Sequence, residues 1–433
     1  MAANTDINLQ KQIIYSIYVR NLTEEGTFNA VIPDLDRIQA LGTDIIWFMP
    51  IHPIGVTGHK GSMGCPYANK DYRTINPEYG TLDDFRQLVR EIHERGMKVM
   101  IDVVYNHTSP DSTLVYEHPE WFYHKTDGSF GNKIGDWSDV VDLDYSKKEL
   151  WDYQIESLTY WAGIVDGYRC DVASFVPADF WIRARESVEK IHPGFIWLAE
   201  TVHSGYCAFA RKMGIYSASD NDIYQAFDLE YEYDIRQAFD DMLEGKTTLT
   251  HYADLLNFQE AIYPLNYNKM RYLENHDTPR ICSRIKGDAA LKNFTAWLYF
   301  NKGTTLIYAG QEYGNDHVPS LFDKDVIDRN TGICISDYMR KLADIKKEFL
   351  GADDFITSIA NENEKVLIQI RENNKRKEIG IFCLKPENTD PIMKTVSTKG
   401  LIPDSTYTNL IDGQKVLCTN GQITGALPII IAL

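Results

Sequence analysis

Short apolar runs alternate with amphipathic stretches along most of the chain, the pattern of a parallel sheet wrapped by helices. Ile13 to Val19 predicts a first strand, Phe28 to Leu41 a helix ending at Gly42, and Thr43 to Phe48 the next strand. Thr81 to Arg95 has a helical period, with Thr81 placed to cap it, Asp83 and Asp84 in the first turn and Gly96 at its end. Lys98 to Val104 reads as a buried strand. The stretch from Tyr105 to about Tyr145 then breaks the rhythm. It is rich in His, Gly, Asp and aromatic residues and too long for an ordinary connection, which predicts an inserted subdomain. The alternation resumes with a helix over Lys147 to Ala162 and a strand over Gly163 to Arg169. Further strands are expected near Phe195 to Ala199, Ile223 to Phe227, Met270 to Leu273 and Thr304 to Tyr308. Eight strand candidates in an alternating α/β pattern favour a closed (β/α)8 TIM barrel over an open sheet. The last barrel helix ends near Phe349. Beyond Gly351, Val366 to Arg371, Lys377 to Leu384 and Gly425 to Ala432 read as strands of a small antiparallel β domain. The expected organisation is a barrel over 1–104 and 147–350, an inserted subdomain over 105–146 and a C-terminal β domain over 351–433.

Charge narrows the partners. The 433 residues carry 44 basic and 62 acidic side chains, a net −18. That sign repels phosphate backbones and anionic membrane surfaces, which argues against nucleic acid and membrane partners, whereas a neutral substrate feels little of it. Aromatic residues make up 12% of the chain, a content that serves core packing or a cleft of rings stacking on apolar sugar faces. The seven cysteines, Cys65, Cys170, Cys207, Cys282, Cys334, Cys383 and Cys418, form no CxxC pair. They indicate neither a zinc site nor a disulfide framework, and free thiols fit a reducing cytosol. Met1 to Gln10 holds no apolar signal core, and no apolar run approaches the ~20 residues that span a bilayer. A cytoplasmic location is expected, with secretion as the alternative if a signal peptide has been removed.

The informative polar clusters fall at the C-terminal ends of the expected barrel strands, where barrel enzymes place their catalytic groups. Asp102-Val103-Val104-Tyr105-Asn106-His107 ends the third strand and Gly167-Tyr168-Arg169-Cys170-Asp171 the fourth. Trp197-Leu198-Ala199-Glu200 ends the fifth, and Leu273-Glu274-Asn275-His276-Asp277 the seventh. A lone Asp after a strand is usually a helix cap, but capping does not explain four such endings.

Glycosidic cleavage with retention needs one carboxylate to attack the anomeric carbon and one carboxylic acid to protonate the leaving oxygen, roughly 5 Å apart. Asp171 and Glu200, on adjacent strand ends, suit that requirement. Arg169 lies two residues before Asp171, so both side chains point to one face of the strand. A neighbouring guanidinium favours an ionised nucleophile. Glu200 follows the apolar run Ile196 to Ala199, where partial desolvation would keep a proton on an acid. A structural Arg169–Asp171 ion pair is the plainer reading of those two residues in isolation.

Taken together, the four segments resemble, in order, the four signature regions of the α-amylase superfamily of glycoside hydrolases. The likeness extends to Pro66-Tyr67-Ala68-Asn69-Lys70-Asp71-Tyr72 and to Tyr308-Ala309-Gly310-Gln311-Glu312, and covers roughly Ile13 to Phe349. The resemblance implies Asp171 as nucleophile, Glu200 as general acid and then base, and Asp277 as stabiliser of the oxocarbenium-like transition state. It implies His107 and His276 as sugar-hydroxyl ligands, His203 as a further substrate contact, Arg169 as the group orienting Asp171, and Tyr67 as a ring beneath the sugar. Asp102 is expected to tie the barrel together.

Asn106 and Asp142 match positions at which many relatives bind a structural calcium ion. Two side chains fall short of the six to eight oxygens that ion takes, so backbone and water would supply the rest, or hydrogen bonds would replace the ion. The motif flanks are mixed. Asp102 to Thr108 is similar to α-amylases, whereas Asp171-Val172-Ala173 and His276 to Arg280 are similar to neopullulanases and cyclomaltodextrinases. Glu200-Thr201-Val202-His203 keeps the His of the latter group and lacks its Trp. The expected activity is hydrolysis of α-1,4-glucans and maltodextrins through a covalent glucosyl-enzyme. The alternatives are α-1,6 or cyclomaltodextrin hydrolysis, transglycosylation on maltooligosaccharides, and non-catalytic sugar binding.

Overall fold

The computed structural model describes residues 2, 4–135, 137–387, 392–398 and 400–433. Eight parallel strands close into a barrel and follow one another round the ring in chain order. They are β1 Ile13–Ile17, β2 Ile45–Phe48, β3 Lys98–Val103, β4 Gly167–Cys170, β5 Ile196–Ala199, β6 Leu229–Tyr231, β7 Lys269–Arg271 and β8 Thr304–Tyr308. Apart from Lys98 at the start of β3, all their residues are buried, as expected for parallel strands covered on both faces. The helix after β2 spans Leu82–Glu94, and Thr81 and Asp84 cap it reciprocally. Among the described residues, no helix is long and apolar enough to cross a membrane.

Three elements differ from the sequence expectation. The helix expected over Phe28 to Leu41 is divided into Phe28–Val31, a tight turn over Ile32–Asp34 and Leu35–Ala40, because Pro33 lacks the N–H that a continuous helix needs. The strand expected at Ile223 to Phe227 lies later, at Leu229–Tyr231, and Asp220–Ile223 is helical. Ser219 and Asp222 form a capping box there, a start signal that outweighs the apolar run behind it. The expected strand Gly425 to Ala432 is two strands, Gln422–Leu427 and Ile429–Ala432, in different sheets. Pro428 between them cannot donate to a ladder.

Beyond the barrel, two four-stranded antiparallel sheets form. Ile368, Ile379, Ile381, Val416, Ile423 and Ile429 share one apolar core there. By contact density the chain forms two compact units, one of residues 1–6, 14–234 and 319–328, the other of 7–13, 235–318 and 329–433. Within the first, buried Arg20 pairs with Glu78 at 2.7 Å and donates to the Leu321 carbonyl at 3.2 Å, anchoring the 319–328 segment. In the same unit His107–Thr108 pairs antiparallel with Val141–Asp142, with His107 opposite Asp142, so the long connection after β3 is pinned where it leaves the barrel strand.

In the second unit, Glu378 lies in the strand Lys377–Cys383. Burial, joined by the charge of Asp354, raises its pKa to about 7. An acid whose folded pKa exceeds its unfolded value costs stability as pH rises through that interval, and the cost is complete above the folded value. Glu378→Gln is therefore expected to raise Tm by about 2 °C at pH 8 and to leave it unchanged at pH 4, as measured by scanning calorimetry at the two pH values.

Candidate active site

The site in the first unit is built around one guanidinium. Arg169 is the third residue of β4, and its side chain is fully buried. The register places it beside Asp102 of β3 on one side and Leu198 of β5 on the other. Its Nη1 lies 2.9 Å from Asp102 Oδ1 and 2.8 Å from Asp171 Oδ1, and its Nη2 lies 2.9 Å from Glu200 Oε2. Its Nε donates to the Tyr231 hydroxyl at 3.2 Å. The rings of Trp47, Tyr67 and Tyr231 stand 5.4, 5.5 and 5.4 Å from the guanidinium carbon. Burial works against the charge, but the carboxylates of Asp102 and Glu200 more than offset it and hold the guanidinium protonated.

Asp171 and Glu200 begin where their strands stop. The Asp171 N–H donates to the Val103 carbonyl at 2.9 Å, and that of Glu200 to the Cys170 carbonyl at 3.0 Å. Each backbone is thus held by the neighbouring strand up to the residue that carries the carboxylate. Glu200 Oε2 also accepts the Val172 N–H at 2.8 Å, and Oε1 faces the Tyr233 hydroxyl at 3.5 Å. Tyr67 donates its hydroxyl to Asp102 Oδ2 at 3.0 Å, so its ring is fixed from below.

His107 Nε2 lies 3.9 Å from Asp171 Oδ2, and its ring packs 5.7 Å from Trp137. Asn106 Nδ2, which can only donate, lies 3.2 Å from His107 Nδ1. The His107 ring is also hydrogen-bonded to the Tyr67 backbone. Burial lowers the His107 pKa, which keeps the imidazole neutral at pH 7. His203 is exposed, stacks on Tyr233 at 4.5 Å and bonds the Tyr233 carbonyl through Nδ1 at 3.1 Å.

Asp277 and His276 belong to the second unit. His276 Nε2 lies 2.9 Å from Asp277 Oδ2, and Asn275 Oδ1 accepts the Asp277 N–H at 2.9 Å. The loop is braced by a buried pair, Arg280 with Glu274 at 2.6 Å, and Glu274 also accepts the Ile281 N–H at 2.6 Å.

The sequence reading did not single out Trp47, Val172, Tyr231 or Tyr233. Tyr231 closes β6 and Tyr233 opens the helix that follows it, and the misplaced strand expectation hid both positions. Val172 sits inside a recognised motif, but nothing in its side-chain chemistry marks it.

The surroundings of Asn106 and Asp142 fit a calcium ion poorly. Asp142 Oδ1 accepts from Asn132 Nδ2 at 3.1 Å, and Oδ2 from the Lys133 N–H at 2.7 Å. The adjacent Leu143 carbonyl accepts from Lys133 Nζ at 2.5 Å. Burial lowers the Lys133 pKa, while Asp142 and Asp144 raise it. An ammonium thus stands on the Leu143 carbonyl, close enough to Asp142 and Asp144 to feel their charge, and repels a second cation there. Among the described residues, no group of three or more His, Cys, Asp or Glu side chains could hold a metal.

Comparisons with known proteins agree with this geometry. The family described as "Alpha amylase, catalytic domain" matches residues 9–127 and 112–366, and "Bacterial Alpha amylase C-terminal domain" matches 358–431. The structure is similar to that of an α-amylase from Lactobacillus plantarum, with 44% identity, a TM-score of 0.93 and coverage of 99% of this chain and 100% of that one. It is also similar to a noncanonic maltogenic α-amylase, AmyB, from Thermotoga neapolitana, with 33% identity, a TM-score of 0.85 and coverage of 98% and 99%. A Bacillus cyclomaltodextrinase is 28% identical over 416 residues, 86% of this chain and 69% of that protein. The chain spans only 36% of a maltosyltransferase from Picrophilus torridus and 44% of an α-amylase from Haloarcula japonica, to which it is 28% and 27% identical over 51% and 70% of its own length.

The Lys133 contacts predict indifference to chelation. Excess EDTA is expected to leave Tm unchanged, and added Ca2+ to raise it by less than about 1 °C, less than a ligand at 100-fold its Kd would produce. A fall of several degrees with EDTA, reversed by Ca2+, would contradict this.

Proposed function

The chain belongs to the α-amylase family, and from that membership we propose that it is a retaining hydrolase of α-1,4-glucans and maltooligosaccharides. The observation that carries the reading is the bridging of Asp171 and Glu200 by the single Arg169 guanidinium. One planar cation touching both carboxylates favours the short separation of a retaining pair, about 5 Å, over the ~6.5–9.5 Å of an inverting one.

Charge then separates their tasks. One guanidinium cannot balance Asp102, Asp171 and Glu200 all ionised, so the cluster favours holding one proton. Asp102 accepts from both Arg169 and Tyr67, and Asp171 accepts from Arg169 Nη1 at 2.8 Å. Glu200 Oε2 likewise lies 2.9 Å from Arg169 Nη2, so it is its place in the motif that assigns Glu200 the proton for the first step. Because Glu200 Oε2 accepts the Val172 N–H, the acidic hydrogen belongs on Oε1.

Asp171 attacks the anomeric carbon while Glu200 Oε1–H protonates the departing glycosidic oxygen. The C1–O bond breaks and a C1–Asp171 ester forms. Ionised Glu200 then takes a proton from water, whose oxygen attacks C1, breaks the ester and restores both carboxyl groups. Asp277 and His276 are assigned by their motif to sugar hydroxyls, contacts that strengthen as the transition state forms. The His107 ring serves a hydroxyl on the Asp171 side, the Tyr67 ring the apolar sugar face, and exposed His203 a more distant unit.

All seven cysteines are free thiols, which supports a reducing compartment, the cytoplasm. Passing the ester to a sugar instead of water would need no new residue, so transfer is the side reaction this site permits.

Asp171→Asn is expected to lower kcat on maltotriose by at least ~10⁴-fold, and undiminished turnover would overturn the mechanism. Proton NMR of the first product should show the α-anomer, and release of the β-anomer would exclude retention. Arg169→Lys is expected to cost about 10³-fold in kcat/KM, because one ammonium cannot reproduce a planar fork spanning two carboxylates. Steady-state kinetics on maltotriose would check the loss.

A further inference from the structure

We propose that the left-handed backbone at Val172 is a positioning element for the proton donor, held in place by packing against an apolar cluster to which the connection after β3 contributes. This rests on the reading of Glu200 as that donor. Val172 directly follows Asp171 and has φ 36° and ψ 44°. A β-branched side chain crowds the backbone in that region, so Val rarely adopts it. Among the described residues, the other non-glycine positions with positive φ are Lys365 and Asn420, both in turns between antiparallel strands. Val172 lies instead between the two carboxylates.

The unusual backbone has a direct consequence. It aims the Val172 N–H at Glu200 Oε2, at 2.8 Å, and the next N–H, that of Ala173, at the Glu200 carbonyl, at 2.9 Å. Two successive donors thus grip one residue, by side chain and by main chain. Such a conformation persists only where its surroundings over-determine it. Glycine would adopt it freely and leave it as freely. Here Val172 packs, with Val202, Tyr206 and Ile215, against an apolar cluster of Ile134, Phe175 and Ala210. Phe175 also returns its N–H to the Val172 carbonyl at 2.9 Å. Ile134 comes from the long connection after β3, so that connection contributes to the cluster that Val172 packs against.

The N–H does two things to Glu200. It occupies Oε2, leaving Oε1 to deliver the proton. It also favours the ionised carboxylate, which moves the alkaline limb of the rate profile, where the acid loses its proton, to lower pH.

The test replaces Val172 by its α-hydroxy acid, introduced by nonsense suppression, which keeps the side chain and deletes only the N–H. The alkaline limb of kcat/KM on maltotriose is expected to rise by about half a pH unit or more, with KM within twofold. An unmoved limb overturns the proposal. Val172→Gly keeps the N–H and deletes the packing. It is expected to lower kcat on maltotriose about tenfold, and to reduce first-turnover fluoride release from α-maltosyl fluoride, whose leaving group needs no proton, less than threefold. Equal losses on both substrates overturn it. Glu200→Gln separates the underlying reading. If Glu200 is the acid, this variant loses maltotriose hydrolysis and retains first-turnover fluoride release, so that a null result at Val172 counts against Val172 alone. Equal loss of both activities in Glu200→Gln overturns both readings.

Discussion

Much of the first unit's functional geometry depends on burying one positive charge. Moving an unpaired guanidinium out of water would cost several kcal/mol even after relaxation, so a fully buried Arg169 demands close and well-aligned carboxylates. Asp102 meets that need from the neighbouring strand, and Asp171 and Glu200 meet it from the strand ends. The faces of Trp47, Tyr67 and Tyr231 line the remaining space with rings that favour a cation. The same contacts that make the charge tolerable hold Asp171 and Glu200 to one guanidinium. Asp102 shares that interaction although its side chain is fully buried.

Around that centre the scaffold supplies direction. β3, β4 and β5 run in register, and backbone hydrogen bonds carry the order of each strand to Asp171 and Glu200. The connection after β3 adds a second layer of constraint. Its ladder sets His107 against Asp142, and the Lys133 ammonium closes on the Leu143 carbonyl. Its Ile134 joins the apolar cluster that Val172 packs against. A segment that looks irregular by secondary structure is thus tied down at several points by specific contacts. In the second unit, the Glu274–Arg280 pair gives the Asp277 loop a comparable internal brace.

Much of the fold was legible before any coordinates. β8 has the bounds its apolar run predicts, and β2, β3, β5 and β7 differ from expectation only at their ends, because buried parallel strands advertise themselves as continuous apolar runs. Where the expectation failed, a short-range signal had been outvoted by apolar content. Pro33 divides a helix, the Ser219–Asp222 capping box draws Ile223 into a helix, and Pro428 moves the chain from one sheet to another. The misplacement of β6 also concealed that Tyr231 ends a strand beside Arg169 and that Tyr233 follows it beside Glu200.

The sequence by itself determined the chemical inventory: which carboxylates, histidines and guanidinium are present, and that they fall at strand ends. Residue type and strand spacing are local properties, readable from neighbours along the chain. Only the tertiary structure decided what each group does with its partners. It is the meeting of distant strands that lets one guanidinium span three acids, and packing against the cluster of Ile134, Phe175 and Ala210 that surrounds a valine in a backbone region it would otherwise avoid. The contact of Lys133 with the Leu143 carbonyl is of the same kind. The ammonium and that oxygen lie about ten positions apart along the chain, and no periodicity links them. Long-range contact turns an inventory into a site.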